Sequence, residues 1–480
     1  MKRCIYVFCV LVLAGIFTVT GSGIGAAGTS LESYCEGFVS GAIQSPIRID
    51  VQQTSRSVNL DVSVSGQEIQ TVDDRTVWRI PNEGIEGKVG YPDLPVVTRW
   101  VRVPDNGRIE LSFQLSNVSH FAAAPPHAFQ LSDAEGSSPQ SIDSNSEFNH
   151  GIYPPEPVTI GEPVIMRGVR MVVMSFYPIR WDGDAQEYIS TQNFQAEISA
   201  SNERGINEVQ EITRCPSKGF DRMLETLLVN PPRRDNPDQE YPPGGYLIVA
   251  DVNAPDAIME FVDWKRRAGH PVEVLRIQGQ EMDIVMLREM IREIYFEIGF
   301  EYLVLMGSNF ADPPLYLPLN SNDFYDVYYG LLEGGDMFPE VAVGTFNCIT
   351  EESLTCAIRR AISYQSAPYN EEIDWFTRAG IGVGACSVPQ DLSPSYTGKW
   401  INEVLSRNQF DDVHTSFFAD NGVDDPHEMV ENLYNWNVNF VIVRAHAWNL
   451  EVENINPGPV YPFQFLVSSG TISPPDNGAF

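Results

Sequence analysis

Residues 246–277 read Tyr246-Leu247-Ile248-Val249-Ala250, a helical pattern from Asn253 to Gly269, and then Val272-Glu273-Val274-Leu275-Arg276-Ile277. The first run is short and wholly apolar, as a strand covered on both faces must be. Asn253 offers an N-cap oxygen, Ile258, Phe261 and Val262 share one helical face, and Gly269 suits the left-handed turn that ends a helix. The stretch therefore predicts a β-α-β unit with parallel strands.

Downstream the pattern repeats. Ile284, Leu287, Ile291, Ile294 and Ile298 make a second helical stripe, and Tyr302 to Met306 a third strand. Further strands are expected at Val341 to Val343, Ile381 to Val383, Phe440 to Val443 and Phe463 to Val467. Helical patterns separate them around Leu354 to Ile362, Trp400 to Leu405 and His427 to Leu433. The expected fold is a mostly parallel sheet with helices on both faces, whose ligands bind beyond the carboxyl ends of the strands.

Upstream the periodicity is two. Val58, Leu60, Val62 and Val64 alternate with Asn59, Asp61 and Ser63, and Ile109 to Leu115 and Phe194 to Ile198 alternate likewise. Turn-rich stretches such as Gly90-Tyr91-Pro92-Asp93-Leu94-Pro95 lie between them, so residues 30–230 are expected to form an all-β sandwich. Residues 231–244, with Pro231-Pro232 and Tyr241-Pro242-Pro243-Gly244, oppose both helix and central strand and form the linker to the α/β domain at 245–480. The Arg233-Arg234 pair in that linker is either an exposed processing point or a solvated charge pair.

Lys2 and Arg3, the apolar run from Ile5 to Val19 and the small residues Gly25-Ala26-Ala27 make residues 1–27 a removable export signal. Secretion or display at the cell surface follows. No later run approaches the roughly 20 apolar residues of a membrane-spanning helix, so no transmembrane segment is expected in the mature chain. The 64 acidic residues against 31 basic ones give a net charge of −33, which opposes binding to nucleic acid. Cys35, Cys215, Cys348, Cys356 and Cys386 remain beyond the signal, an odd number without metal spacing. Of the seven histidines, His446 alone directly follows a buried-looking strand. Ser469 follows the next one. If those strands are neighbours, the pair could work as a base beside a nucleophile, or each could be an ordinary turn residue.

The order of several short motifs resembles the gingipain-type cysteine peptidases with their propeptide domain. In the first half these are Gly90-Tyr91-Pro92-Asp93-Leu94-Pro95 leading to Val101-Arg102-Val103-Pro104, and Arg167-Gly168-Val169-Arg170 leading to Phe176-Tyr177-Pro178. In the second half they are Gly245 to Val249, Tyr302 to Gly307, and Asn322-Asp323-Phe324-Tyr325 through Gly335-Asp336 to Pro339-Glu340-Val341-Ala342-Val343-Gly344. The resemblance implies a caspase-like α/β catalytic domain, an endopeptidase activity on protein or peptide substrates, and a catalytic His and Cys after successive strands. His446 takes the His position, between Ala445 and Ala447 where the family has glycines. Ser469 takes the Cys position, and no cysteine follows Cys386. Such a replacement usually abolishes activity, so a non-catalytic surface binding or adhesion protein is the alternative. Glu340 matches an acidic position that could orient the imidazole, or is a solvated acid at a strand start. No cofactor is required. Calcium is possible as a structural ion on Asp323, Asp326, Asp336, Asp420, Asp424 or Asp425, none of which lies in an EF-hand loop. The family's fold would continue beyond Phe480, which suggests a C-terminally truncated sequence.

Overall fold

The computed structural model describes residues 46–72, 74–88, 90–129, 150–210, 216–232, 240–308, 311, 315–318, 325–348, 350–366, 377–383, 392–417, 440–444 and 463–467. Among the described residues from 46 to 200, two antiparallel sheets hold most of the strands. The first has the order β1 (Ile47–Gln53), β2 (Ser57–Val64), β13 (Glu187–Ala200), β12 (Ile179–Asp182), β8 (Ile152–Tyr153), with β7 (Ile109–Phe121) along the other edge of β13. The second has the order β10 (Val164–Met166), β11 (Val169–Phe176), β6 (Pro95–Arg102), β5 (Gly84–Ile85), with β9 (Val158–Ile160) also on β11. A hairpin of β3 (Glu68–Val72) and β4 (Arg75–Arg79) stands apart.

The two-residue alternation explains the packing. Val58, Leu60, Val62 and Val64 of β2 share one face with Phe194, Ala196 and Ile198 of β13, and that face meets Val97, Val101, Val172, Met174 and Phe176 of the second sheet. All twelve side chains are buried in one cluster. This is sheet-on-sheet packing, as alternation predicts. One element departs from the all-β expectation. Helix α1 (Lys218–Leu227) starts at Ser217, whose side chain accepts from the Phe220 amide, and lays Phe220 and Leu224 on Met166, Val169 and Met171.

In the second half, β14 (Tyr246–Asp251), β15 (Val272–Ile277), β16 (Tyr302–Met306) and β17 (Ala342–Phe346) form a parallel sheet in the order β15-β14-β16-β17. Ile248, Ala250, Val304 and Met306 face helices α2 (Ala257–Arg267) and α4 (Glu351–Gln365). Leu247, Val249, Leu303 and Leu305 face α3 (Ile284–Ile298) on the other side. Both faces are dry, hence the unbroken apolar runs.

Three expectations are corrected. Asn253 does not cap α2: its amides bind the Asp251 carboxylate, and the helix begins after Pro255 with Asp256 at the N-cap. The strands do not continue into a single sheet. A second four-stranded parallel sheet has the order β19 (Asp412–Phe417), β18 (Arg378–Val383), β20 (Phe440–Arg444), β21 (Phe463–Val467), with α5 (Leu392–Arg407) joining β18 to β19. Strand β19 itself was not anticipated, because its Asp412, His414, Thr415 and Ser416 break the apolar signal. The helical pattern at His427 to Leu433 lies outside the described residues. Among the described residues no helix is long and apolar enough to cross a membrane.

Candidate functional site

Each parallel sheet offers one rim at the carboxyl ends of its strands, and the two rims differ. At the first, the chain folds back over its own strand ends. The Ser308 amide donates to the Leu315 carbonyl at 2.9 Å and the Leu317 amide to the Ser308 carbonyl at 3.1 Å. A β-carbon at Gly307 would strike the Leu315 carbonyl and one at Gly279 the Tyr316 carbonyl, so glycine is required where the chain closes this rim. Asp251, at the end of β14, accepts from the Asn253 amide at 2.8 Å and the Gly279 amide at 3.1 Å. Its carboxylate is committed to holding turns.

At the second sheet, β18, β20 and β21 lie side by side in parallel, with Val383 paired to Arg444 and Arg444 to Val467. The strands that precede the two candidate residues are therefore neighbours in register. His446 stands two residues beyond Arg444, and Ser469 two beyond Val467. Both lie outside the described residues.

Glu340 is placed elsewhere. It precedes β17 at the amino end of a strand of the first sheet, the end opposite to that sheet's ligand rim. The solvated reading does not hold, because Glu340 is fully buried. Its Oε2 accepts from the amides of Leu332 at 2.6 Å and Glu333 at 2.9 Å, and Oε1 has no hydrogen-bond partner. Burial raises its pKa well above the ordinary carboxylate value, and the nearby acids Glu333 and Asp336 add to the rise. A group whose pKa is raised by folding stabilises the fold below its unfolded pKa, and that contribution is lost as pH rises through the folded value. Glu340→Gln keeps an oxygen for the two amides and removes the ionisation. We expect this variant to melt higher than the parent at alkaline pH and to match it near pH 4. Parallel melting curves across the pH range would refute this assignment.

The same region joins the two halves of the chain. Met166 pairs with Val169 around a two-residue turn in which Arg167 and Gly168 have φ of 47° and 67°, the geometry of a tight β-hairpin. Positive φ is unfavourable for arginine, but the turn thrusts its side chain into the α/β domain. The buried Arg167 guanidinium donates to the carbonyls of Glu340 at 2.7 Å, Phe300 at 3.2 Å and Gly299 at 3.4 Å. Gly299 is the C-cap of α3, where unpaired carbonyls and the negative end of the helix dipole both favour a cation. Beside it, the Asp336 carboxylate accepts from the Ile165 amide at 2.8 Å and the Asn207 side chain at 3.1 Å. Asn207 in turn accepts from the Gly335 amide at 2.9 Å. Trp100 meets Phe338 edge-on at 5.2 Å. The motif Arg167-Gly168 and the Gly335-Asp336 pair carry this clamp, a role that neither charge nor periodicity could have signalled.

The remaining expectations fall as follows. Asp326 is half-buried and accepts a hydrogen bond from the Thr345 hydroxyl, and Asp336 accepts from the Ile165 amide. Asp323, Asp420, Asp424 and Asp425 lie outside the described residues, as do Arg233 and Arg234. Among the described residues no cluster of three metal-ligating side chains occurs. Among the described residues neither Cys348 nor Cys356 is in a disulfide. Cys35, Cys215 and Cys386 are not among the described residues.

The fold and its clamp define the class as a two-domain protein, an N-terminal β-sandwich joined to an α/β domain by buried hydrogen bonds. Comparison with known proteins narrows this class. Residues 239–434 match the model of peptidase family C25, and residues 49–218 match the C25 propeptide. The chain belongs to the gingipain-type cysteine-peptidase family, propeptide and peptidase domains in series. The peptidase match ends before His446 and Ser469. Gingipain R1 of Porphyromonas gingivalis is 23% identical over 337 residues, covering 68% of this chain and 33% of that protein. Lys-gingipain of the same organism is 20% identical over 312 residues, covering 60% and 18%. The chain thus spans about a third or less of these relatives. Among solved structures, the Arg-specific cysteine proteinase gingipain R aligns at 21% identity and a TM-score of 0.37, over 44% of this chain and 49% of that one. The complex of pro- and mature domains from Porphyromonas gingivalis aligns at 19% identity and 0.34, over 39% and 98%.

Proposed function

We propose that this chain is an exported endopeptidase homologue that hydrolyses peptide bonds in proteins at the rim of its second sheet, with His446 as general base and Ser469 as nucleophile. The carrying observation is the in-register parallel pairing of β20 with β21. Neighbouring strands lie about 4.8 Å apart, so the chain leaves β20 and β21 toward the two residues from adjacent positions. In this scheme His446 takes the Ser469 proton as the hydroxyl oxygen attacks the scissile carbonyl, then returns it to the leaving amine. Water releases the acyl group and regenerates the hydroxyl. Serine in place of a thiol makes this copy slow or inert, since a hydroxyl ionises far less readily than a thiol. Glu340 acts here as a structural acid that holds the turn at Leu332 and Glu333.

Residues 1–27 direct export in this reading, and cleavage at Arg233-Arg234 separates propeptide from peptidase. Calcium, if bound, has a structural role that no step requires. The test is hydrolysis of an unselected peptide mixture by the linker-cut chain. His446→Ala is expected to lower it by about 10²- to 10⁴-fold, the range of a positioned acid–base group. Equal hydrolysis by a folded His446→Ala protein would exclude the scheme. No hydrolysis by either would leave the fold in a binding role.

A further inference from the structure

Residues 331–340 present several of their groups to the N-terminal sandwich. In the middle of this segment the Gly335 amide donates to the Asn207 side chain, and Asp336 accepts from the Ile165 amide. At its end the Glu340 carbonyl takes the Arg167 guanidinium at 2.7 Å. The Glu340 carboxyl reaches back to the start of the same segment, where Oε2 accepts from the amides of Leu332 and Glu333. One buried side chain thus pins the loop that the sandwich grips.

Its surroundings suit a neutral acid and not an anion. Glu340 is fully buried, and Oε1 has no hydrogen-bond partner among the described residues. A buried carboxylate needs a paired charge, whereas a neutral carboxyl costs far less. The charged groups nearby do not supply that pair. On its own segment Glu333 and Asp336 are both acids. From α3, the Tyr295 hydroxyl donates to Glu333 at 2.6 Å, Arg292 donates to the Leu332 carbonyl at 2.9 Å and Arg288 to the Leu331 carbonyl, and Glu289 faces both arginines. From the sandwich, Arg167 directs its donors at the carbonyls of Glu340, Phe300 and Gly299. Before β16, the Glu301 carboxylate lies against Gly244. Burial and the two neighbouring acids therefore favour the protonated form.

Ionisation would leave a buried anion beside two acids. Lifting residues 332–336 is the least disruptive way to bring water to it, because Gly334 and Gly335 are exposed and have no side chain to unpack. That movement gives up the bonds to Asn207 and Ile165. We propose that residues 331–340 form a proton-closed latch, in which a neutral Glu340 carboxyl holds the loop against the sandwich and loss of its proton to solvent lets the loop lift and loosens the two halves. The latch does not depend on the peptidase reading. The closed state is favoured below the ordinary carboxylate range, and that advantage is lost as pH rises through the folded value.

Hydrogen exchange of the full exported chain over about pH 5 to pH 9 tests this, with each rate corrected for its intrinsic pH dependence. The amides of Leu332, Glu333, Ile165 and Gly335 should lose protection by about tenfold or more as pH rises, while those of the central strands β2 and β14 keep theirs. In Glu340→Gln the four amides should stay protected across the range. Protection of the four amides that is independent of pH in the parent chain would overturn the proposal, whether or not the variant folds. So would an equal loss in a folded Glu340→Gln protein, or a parallel loss along β2 and β14, which would show general alkaline unfolding.

Discussion

Ser469→Cys is expected to raise peptide hydrolysis by about 10²-fold or more, the low end of what an activated nucleophile with a positioned base delivers. The argument rests on ionisation. A free thiol with a pKa of roughly 8.5 is already a few per cent thiolate at neutral pH, and a neighbouring imidazole converts it to an ion pair. A serine hydroxyl has no comparable ionised fraction and depends wholly on general-base help. Because β20 and β21 run in register up to Arg444 and Val467, the introduced sulfur starts from the strand adjacent to the one that leads to His446. Two measurements check this. Peptide hydrolysis should appear in Ser469→Cys and vanish again when His446→Ala is added. The pH profile of alkylation at residue 469 should show a depressed thiol pKa that returns toward the ordinary value without His446. A folded Ser469→Cys protein that stays inert, with an ordinary alkylation profile, would show that this rim holds no catalytic pair.

The second large effect concerns the clamp. Arg167→Ala should destabilise the chain by about 3 kcal/mol or more, because the carbonyls of Gly299, Phe300 and Glu340 lose their donor together, and a buried unsatisfied group costs about 1–3 kcal/mol. The cost falls on the interface between the halves, not on either core. In a chain nicked within the 231–244 linker, the two fragments of the parent should therefore elute together, while those of Arg167→Ala separate. Arg167→Lys should restore only part of the association, since an ammonium cannot reproduce the planar fork that reaches three carbonyls. Co-elution of the Arg167→Ala fragments at unchanged melting temperature would remove the clamp from the account.

Much of the fold was written locally. The period of two in Val58 to Val64 and the apolar runs at Tyr246 to Ala250 and Tyr302 to Met306 became a sandwich sheet and a buried parallel sheet. Burial on one face or on two dictates those patterns directly. Strand β19 was missed because four of its six residues are polar or charged, and only its place beside β18 makes it a strand. The division into two sheets was equally invisible, since hydrophobic periodicity reports that a strand is covered and not which strand lies beside it.

The amino-acid sequence by itself determined the order of the two domains, the alternation of strands and helices, and the two candidate residues after successive strands. Each of these is a property of neighbours along the chain. Only the tertiary structure decided that β20 and β21 are adjacent, that Glu340 is buried at the far end of a different sheet, and that Arg167 caps a helix of the other domain. Those facts depend on contacts between residues more than a hundred positions apart, as between Arg167 and Glu340, or on strand pairings made in space. No local signal encodes such contacts. They form because buried backbone carbonyls and carboxylates must find partners wherever the packed chain brings one within reach.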